Sequence, residues 1–164
     1  MNPKLYWIDS PWKGKLAISA RPRGGDWLED EVKGWRLAGI DGVVSLLTSE
    51  ELGELGLTEE SRLCQAASIR FFSLPIPDRG VPSAQAPVAT VLRNVQEMLE
   101  NGRNVAIHCR QSIGRAGMIS AALLTAKGVS PSEALHRASA ARGLDVPETE
   151  EQKSWVMQLA VAGV

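Results

Sequence analysis

The chain has 164 residues, enough for one domain with a proper apolar core, and its formal net charge of −1 gives no basic surplus that points to nucleic acid or an anionic membrane surface. Its two cysteines are too few for a disulfide scaffold, the N-terminus carries no apolar run that reads as a signal peptide, and no segment approaches a membrane span. The expectation is a cytoplasmic, single-domain protein over 1–164, favoured as a monomer, with no repeat, no low-complexity segment and no nucleic-acid or membrane partner.

In chain order, "KLYWI" (Lys4 to Ile8) and "KLAISA" (Lys15 to Ala20) read as short strands around a Pro-Trp turn. "GDWLEDEVKGWRLAG" (Gly25 to Gly39) places Trp27, Leu28, Val32, Trp35 and Leu37 at roughly helical spacing, with Asp26 as N-cap and the tryptophans in the core. "DGVVSLL" (Asp41 to Leu47) reads as a short buried strand, and "TEESRLCQAAS" (Thr58 to Ser68) as a helix. "IRFFSLPI" (Ile69 to Ile76) is a strand closed by the turn residues of "PDRGVPS". "PVATVLRNVQEMLENG" (Pro87 to Gly102) has proline at its start and glycine past its end, as helices prefer. "NVAIHC" (Asn104 to Cys109) shows no alternation, which predicts a central strand buried on both faces. Helices over 114–127, 130–142 and 148–160 follow. The alternation predicts an α/β fold, with a central, mainly parallel, twisted sheet of four to five strands flanked by helices. Ligands of such sheets bind beyond the carboxyl ends of the strands, and Cys109 sits at one.

The segment "HCRQSIGR" joins that strand to the next helix. A loop in this position turns backbone N–H groups inward, and the helix N-terminus adds unpaired donors and partial positive charge. The result is a cradle for a phosphate-sized anion, whose field also favours a nucleophilic thiolate at its rim. Gly114 lets the backbone bend tightly, and Arg115 can hold two oxygens bidentately. Nucleophile, anion loop and planar cation lie within the seven residues from Cys109 to Arg115. Such a set fits phosphoryl transfer through a cysteinyl-phosphate, with no cofactor and no metal.

"HCRQSIGRA" resembles the His-Cys-x5-Arg signature of the cysteine-dependent protein phosphatases, and its surroundings resemble their dual-specificity branch. "DGVVSLLTSEEL" is similar to that family's strand and following loop, "LPIPDRGVPS" to its mobile acid-bearing loop, and "RGLDVPETEEQKSWV" to the segment before its last helix. The likeness runs from about Arg21 onward. It implies Cys109 as nucleophile and Arg115 as the phosphate-binding arginine. The amides of Arg110, Gln111, Ser112, Ile113, Gly114 and Arg115 become the surrounding loop, and His108 its orienting residue, buried and hydrogen-bonded to backbone. Asp78 is the implied general acid, protonating the leaving oxygen from a loop that closes. The competing reading is an ordinary turn aspartate, since "PDRG" is a favourable turn. Asp41 and Asp145 read as structural.

Two departures stand out. Ser112 replaces a frequent glycine, and its side chain either narrows the loop or donates a hydrogen bond. Ala116 replaces the usual Ser or Thr after the arginine, whose hydroxyl stabilises the departing thiolate; Ser112 is a candidate substitute. Gln152 either positions the hydrolytic water or faces solvent, with solvent favoured. Cys64 reads as a small core residue and His136 as a surface or packing residue, since no His and Cys pair has zinc spacing. The implied activity is hydrolysis of phosphotyrosine, with phosphoserine and phosphothreonine as further substrates in proteins or peptides. The alternatives are a phosphate-recognition module with weak turnover, or a phosphatase of a non-protein ester. A rhodanese-like sulfurtransferase fits Arg115 and Asp78 less well.

Overall fold

A computed structural model describes residues 3–162. Its sheet has five strands in the order β1-β2-β5-β3-β4: β1 Leu5–Ile8, β2 Leu16–Ser19, β3 Gly42–Ser45, β4 Arg70–Ser73 and β5 Val105–His108. β1 and β2 pair antiparallel across the Pro-Trp turn, whereas β2, β5, β3 and β4 run parallel to their neighbours. The fold is the expected α/β architecture. β5 is central and all four of its residues are buried, in keeping with its unbroken apolar run.

Helices cover both faces. On one, Val43 and Ala106 pack with Leu28, Val32 and Trp35 of α1 (Leu28–Leu37) and with Cys64 of α3 (Glu60–Ala66). On the other, Leu16, Ile18, Val44, Val105 and Ile107 meet α4 (Gln85–Glu100), α5 (Gly114–Ala126), α6 (Pro131–Arg142) and α7 (Glu150–Ala162). Helix α5 is buried from Gly114 through Thr125, which explains why its sequence is apolar all round.

Several expectations are corrected. The last helix starts at Glu150 rather than 148, and the helix expected from Pro87 begins at Gln85. A short helix, α2 (Ser49–Glu54), occupies what reads as loop after β3; Thr48 caps it by accepting from the Glu51 N–H. Asp26 caps nothing, because Gly25–Trp27 is a 3₁₀ turn ahead of α1 with Gly24 as its cap. That tighter turn rotates Trp27 out of the helical stripe, so it is exposed, with the Arg23 guanidinium 4.4 Å from its ring centroid. Leu37, at the helix end, is also exposed, whereas Trp35 is buried as expected. No helix among the described residues is long and apolar enough to cross a membrane.

Candidate active site

The parallel strands end at one edge of the sheet, and the segments leaving β3, β4 and β5 converge there. Main-chain bonds extend their pairing past the strands: Leu46 N–H donates to the His108 carbonyl and Ile76 N–H to that of Leu46. This brings the Asp78 turn and the Cys109–Arg115 loop around one cavity, with Glu51 set where it can hold Arg115.

Guanidinium groups hold the loop from outside. Arg21 Nη1 donates to the Arg110 carbonyl at 2.8 Å. Arg142 donates through Nε to the Ser112 carbonyl at 2.8 Å and through Nη2 to that of Gln111 at 3.3 Å. In a planar trans peptide the N–H points opposite to the carbonyl, so these bonds direct the amides of Gln111, Ser112 and Ile113 to the other side of the loop. Ser112 sits at φ 56°, which accounts for glycine being frequent there in the resembling family. Its hydroxyl donates to the Ser19 carbonyl at 2.5 Å, fixing the loop to β2 and leaving that proton unavailable for a departing thiolate. At Gly114 a Cβ would lie 3.0 Å from Gln152 Oε1 and from Glu148 Cβ and Oε1, so a side chain there displaces the start of α7.

Arg115 is buried at the loop's end and is gripped by Glu51: Nη1 donates to Oε1 at 2.6 Å and Nη2 to Oε2 at 2.9 Å. Nη1 also donates to the Ile76 carbonyl at 2.8 Å, and Nη2 reaches Asp78 Oδ1 at 3.2 Å. Burial pulls the guanidinium's pKa down, but the bond to Glu51 and the charges of Cys109, Glu51 and Asp78 outweigh it and hold it above the ordinary value. Glu51 moves the other way. The Arg115 bond overcomes the cost of burial, and with Thr48 it draws the carboxyl from 4.5 down to about 2.

Cys109 is 2% exposed and borders a cavity of about 250 Å³ shared with Asp78, Arg79, Gln111, Gly114, Arg115 and Glu148. Asp78 is largely exposed, and Arg79 next to it pairs with Glu148 at 2.7 Å. Arg110 leans away from the cavity onto Glu54 and Glu51. His108 is fully buried as expected, but its partner is a side chain rather than backbone: Nε2 lies 2.6 Å from Glu60 Oε2. Its ring stacks on Trp35 at 5.8 Å between centroids, and Trp35 Nε1 donates to the Ser19 hydroxyl.

The solvent-facing reading of Gln152 is overturned by its complete burial. Its Oε1 accepts from the Glu148 and Thr149 amides, its own N–H donates to Thr149 Oγ1, and its Nε2 donates to the Gly80 carbonyl. Thr149-x-x-Gln152 is therefore a capping box, a signal legible in the sequence. Glu51 carried the same signal in Thr48-x-x-Glu51, but nothing local links either Glu51 or Glu60 to the cysteine loop. Asp41 is structural: it accepts from Arg36 and from the Asn104 amide. Asp145 and His136 are exposed. Cys64 is buried and not in a disulfide, with its thiol pushed up to about 12 by burial and by Glu60. No group of three or more His, Cys, Asp or Glu among the described residues is arranged to hold a metal ion.

A cysteine loop between a central strand and a buried helix, closed by a buried arginine, defines the fold as that of the cysteine-dependent phosphatases of the dual-specificity branch. Residues 19–129 match the sequence model described as "Tc-R-P: Polymorphic toxin system, DSP-PTPase phosphatase", and the chain belongs to that family. It is 26% identical over 131 residues to cyclin-dependent kinase inhibitor 3 of Sus scrofa, covering 79% of this chain and 61% of the length of that relative. In structure it is similar to kinase-associated phosphatase carrying serine for its catalytic-site cysteine (TM-score 0.86, 19% identity, 99% of this chain and 97% of that one). It is also similar to the active form of Tk-PTP (TM-score 0.76, 28% identity, 100% of both chains). A third likeness is to PTPMT1 in complex with PI(5)P (TM-score 0.77, 19% identity, 95% and 96%).

Proposed function

We propose that the chain is a single-domain protein-phosphate hydrolase acting on phosphotyrosine, with phosphoserine and phosphothreonine as further substrates. The Cys109 thiolate attacks phosphorus, an S–P bond forms, and the ester P–O bond breaks. The leaving oxygen takes its proton from Asp78. Water then attacks phosphorus, its proton passes to the Asp78 carboxylate, and the S–P bond breaks to restore the thiolate and release phosphate. Arg115 and the loop amides hold the phosphoryl oxygens. Gln152, the candidate for orienting the hydrolytic water, is buried with Oε1 and Nε2 both bonded, so it supports the loop at Gly114 from behind rather than touching the water.

The observation that carries this reading is the shared cavity, which sets Cys109 at the mouth of an amide loop with Arg115 and Asp78 on its wall. A second reading, phosphate recognition with slow turnover, is favoured by one detail. Ala116 supplies no hydroxyl, and that of Ser112 is bound to Ser19. Cys109→Ser decides whether the mechanism is covalent. The variant is expected to lose hydrolysis of phosphotyrosine peptide while still binding vanadate; hydrolysis at the parent rate would overturn the cysteinyl-phosphate.

A further inference from the structure

Asp78 is held from behind. The chain turns sharply after it: Arg79 has a positive φ of 62°, and the Gly80 N–H closes back on the Pro77 carbonyl at 2.8 Å. This turn throws the Arg79 side chain across the cavity onto Glu148, where Nη1 meets Oε2 at 2.7 Å. A second tie lies next to it, from Gln152 Nε2 to the Gly80 carbonyl at 3.0 Å. Both anchors belong to the first turn of α7 and the residues just before it. That same turn lies against Gly114, where the phosphate-binding loop becomes helix α5. One short segment thus touches the acid-bearing turn on one side and the anion loop on the other.

We propose that Glu148, through its ion pair with Arg79, is a positioning residue for Asp78. It holds the acid-bearing turn against the start of α7, so that the Asp78 carboxyl stays over the cavity. The proposal rests on the reading of Asp78 as general acid. Arg79 is 60% exposed and Glu148 33%, so the pair is screened by water and its hold is modest, a factor of about two to five in the population of the closed turn. A modest hold suits a turn that must admit substrate and release product.

The chemistry gives the pair a signature. Proton donation matters in proportion to how poorly the leaving group departs unaided. Glu148→Gln and Arg79→Met are therefore expected to lower kcat/KM, which reports the step that expels the leaving group, about threefold on phenyl phosphate and phosphotyrosine peptide. An aryl phosphate whose phenol is strongly acidic should keep the parent kcat/KM. Vanadate affinity should rise in Glu148→Gln and fall in Arg79→Met, since one removes a negative and the other a positive charge from the cavity wall, whereas kcat/KM on poor leaving groups should fall in both. The charge exchange Arg79→Glu with Glu148→Arg should recover most of the loss. In an Asp78→Asn background Glu148→Gln should have no further effect on kcat/KM.

Equal loss of kcat/KM on all leaving groups, failure of the exchange to restore it, or additivity with Asp78→Asn would each overturn the positioning role. Asp78→Asn itself serves as the control. If it is selective for poor leaving groups and Glu148→Gln is not, the positioning role falls and the acid assignment stands. If Asp78→Asn is equally slow on all of them, the acid assignment falls and takes this proposal with it.

Discussion

Glu51→Gln tests how the phosphate-binding arginine is held. The substitution keeps the shape of the side chain and one acceptor for Arg115, but removes the charge from a pair in which Arg115 is 1% and Glu51 9% exposed. Folding draws the Glu51 carboxyl from 4.5 to about 2, a change in proton affinity that corresponds to roughly 3 kcal/mol. Breaking a buried pair from one side costs about 3–5 kcal/mol, so the two routes agree, with glutamine's residual acceptor favouring the lower end. For a chain of 164 residues that is a fall in Tm of about 5–12 °C. The sign with pH follows from the direction of the shift. The folded carboxyl binds a proton more weakly than the unfolded one, so its stabilisation is complete above the ordinary value of 4.5 and is lost as pH falls toward about 2. Urea unfolding of parent and variant, followed by tryptophan fluorescence between about pH 7 and pH 3, should show a gap that is constant at neutral pH and narrows in acid. A gap that stays the same at every pH would refute the reasoning, because the loss would then come from packing rather than from the charge.

Two further substitutions address the chemistry. Asp78→Asn should lower kcat/KM of phosphates with poor leaving groups by roughly 10²–10⁴-fold and spare that of phosphates with acidic phenols, as read across a leaving-group series. Ala116→Ser should raise the steady rate by up to about tenfold, roughly 1.4 kcal/mol of barrier, with little change in the rate of the first step. In rapid mixing the parent should show a burst near one product per site that the serine variant diminishes; an unchanged burst would place the slow step elsewhere.

The parts of the site that were legible in the sequence are those built from neighbours along the chain. Cys109, Gly114 and Arg115 lie on one strand-loop-helix unit, so their spacing carries their geometry. Asp78 was legible because its turn follows a strand that ends at the same sheet edge. Glu51 and Glu60 were not, since they reach Arg115 and His108 across 64 and 48 residues and look locally like helix-starting acids. Arg142 was hidden for the same reason: as the last residue of α6 it reads as a helix-end cation, yet it holds two carbonyls of the anion loop. Trp27 misled for another reason. Helical periodicity assumes one pitch, and the 3₁₀ turn broke it one residue before the helix began.

The two halves of the site differ in how firmly they are held, and the difference follows from burial. Besides the outer Arg21 and Arg142 bonds, the two ends of the anion loop, at His108 and Arg115, are tied by groups that water barely reaches. Arg115 and Glu51 are almost fully covered, and so are His108 and Glu60. Pulling either pair apart leaves a charge or a strong polar group desolvated and unpartnered, which costs several kcal/mol. The Asp78 turn has one buried tie, from Gln152 to the Gly80 carbonyl, but at Asp78 and Arg79 themselves it is tied by contacts that water does reach. Asp78 is 58% and Arg79 60% exposed, and exposed pairs of this kind hold with about 1 kcal/mol or less. Thermal motion can therefore release the acid without loosening the phosphate cradle. A rigid cradle lowers the reorganisation needed as charge moves between phosphorus and sulfur. In the proposed mechanism a loosely held Asp78 can withdraw while phosphate leaves and return for the next proton transfer.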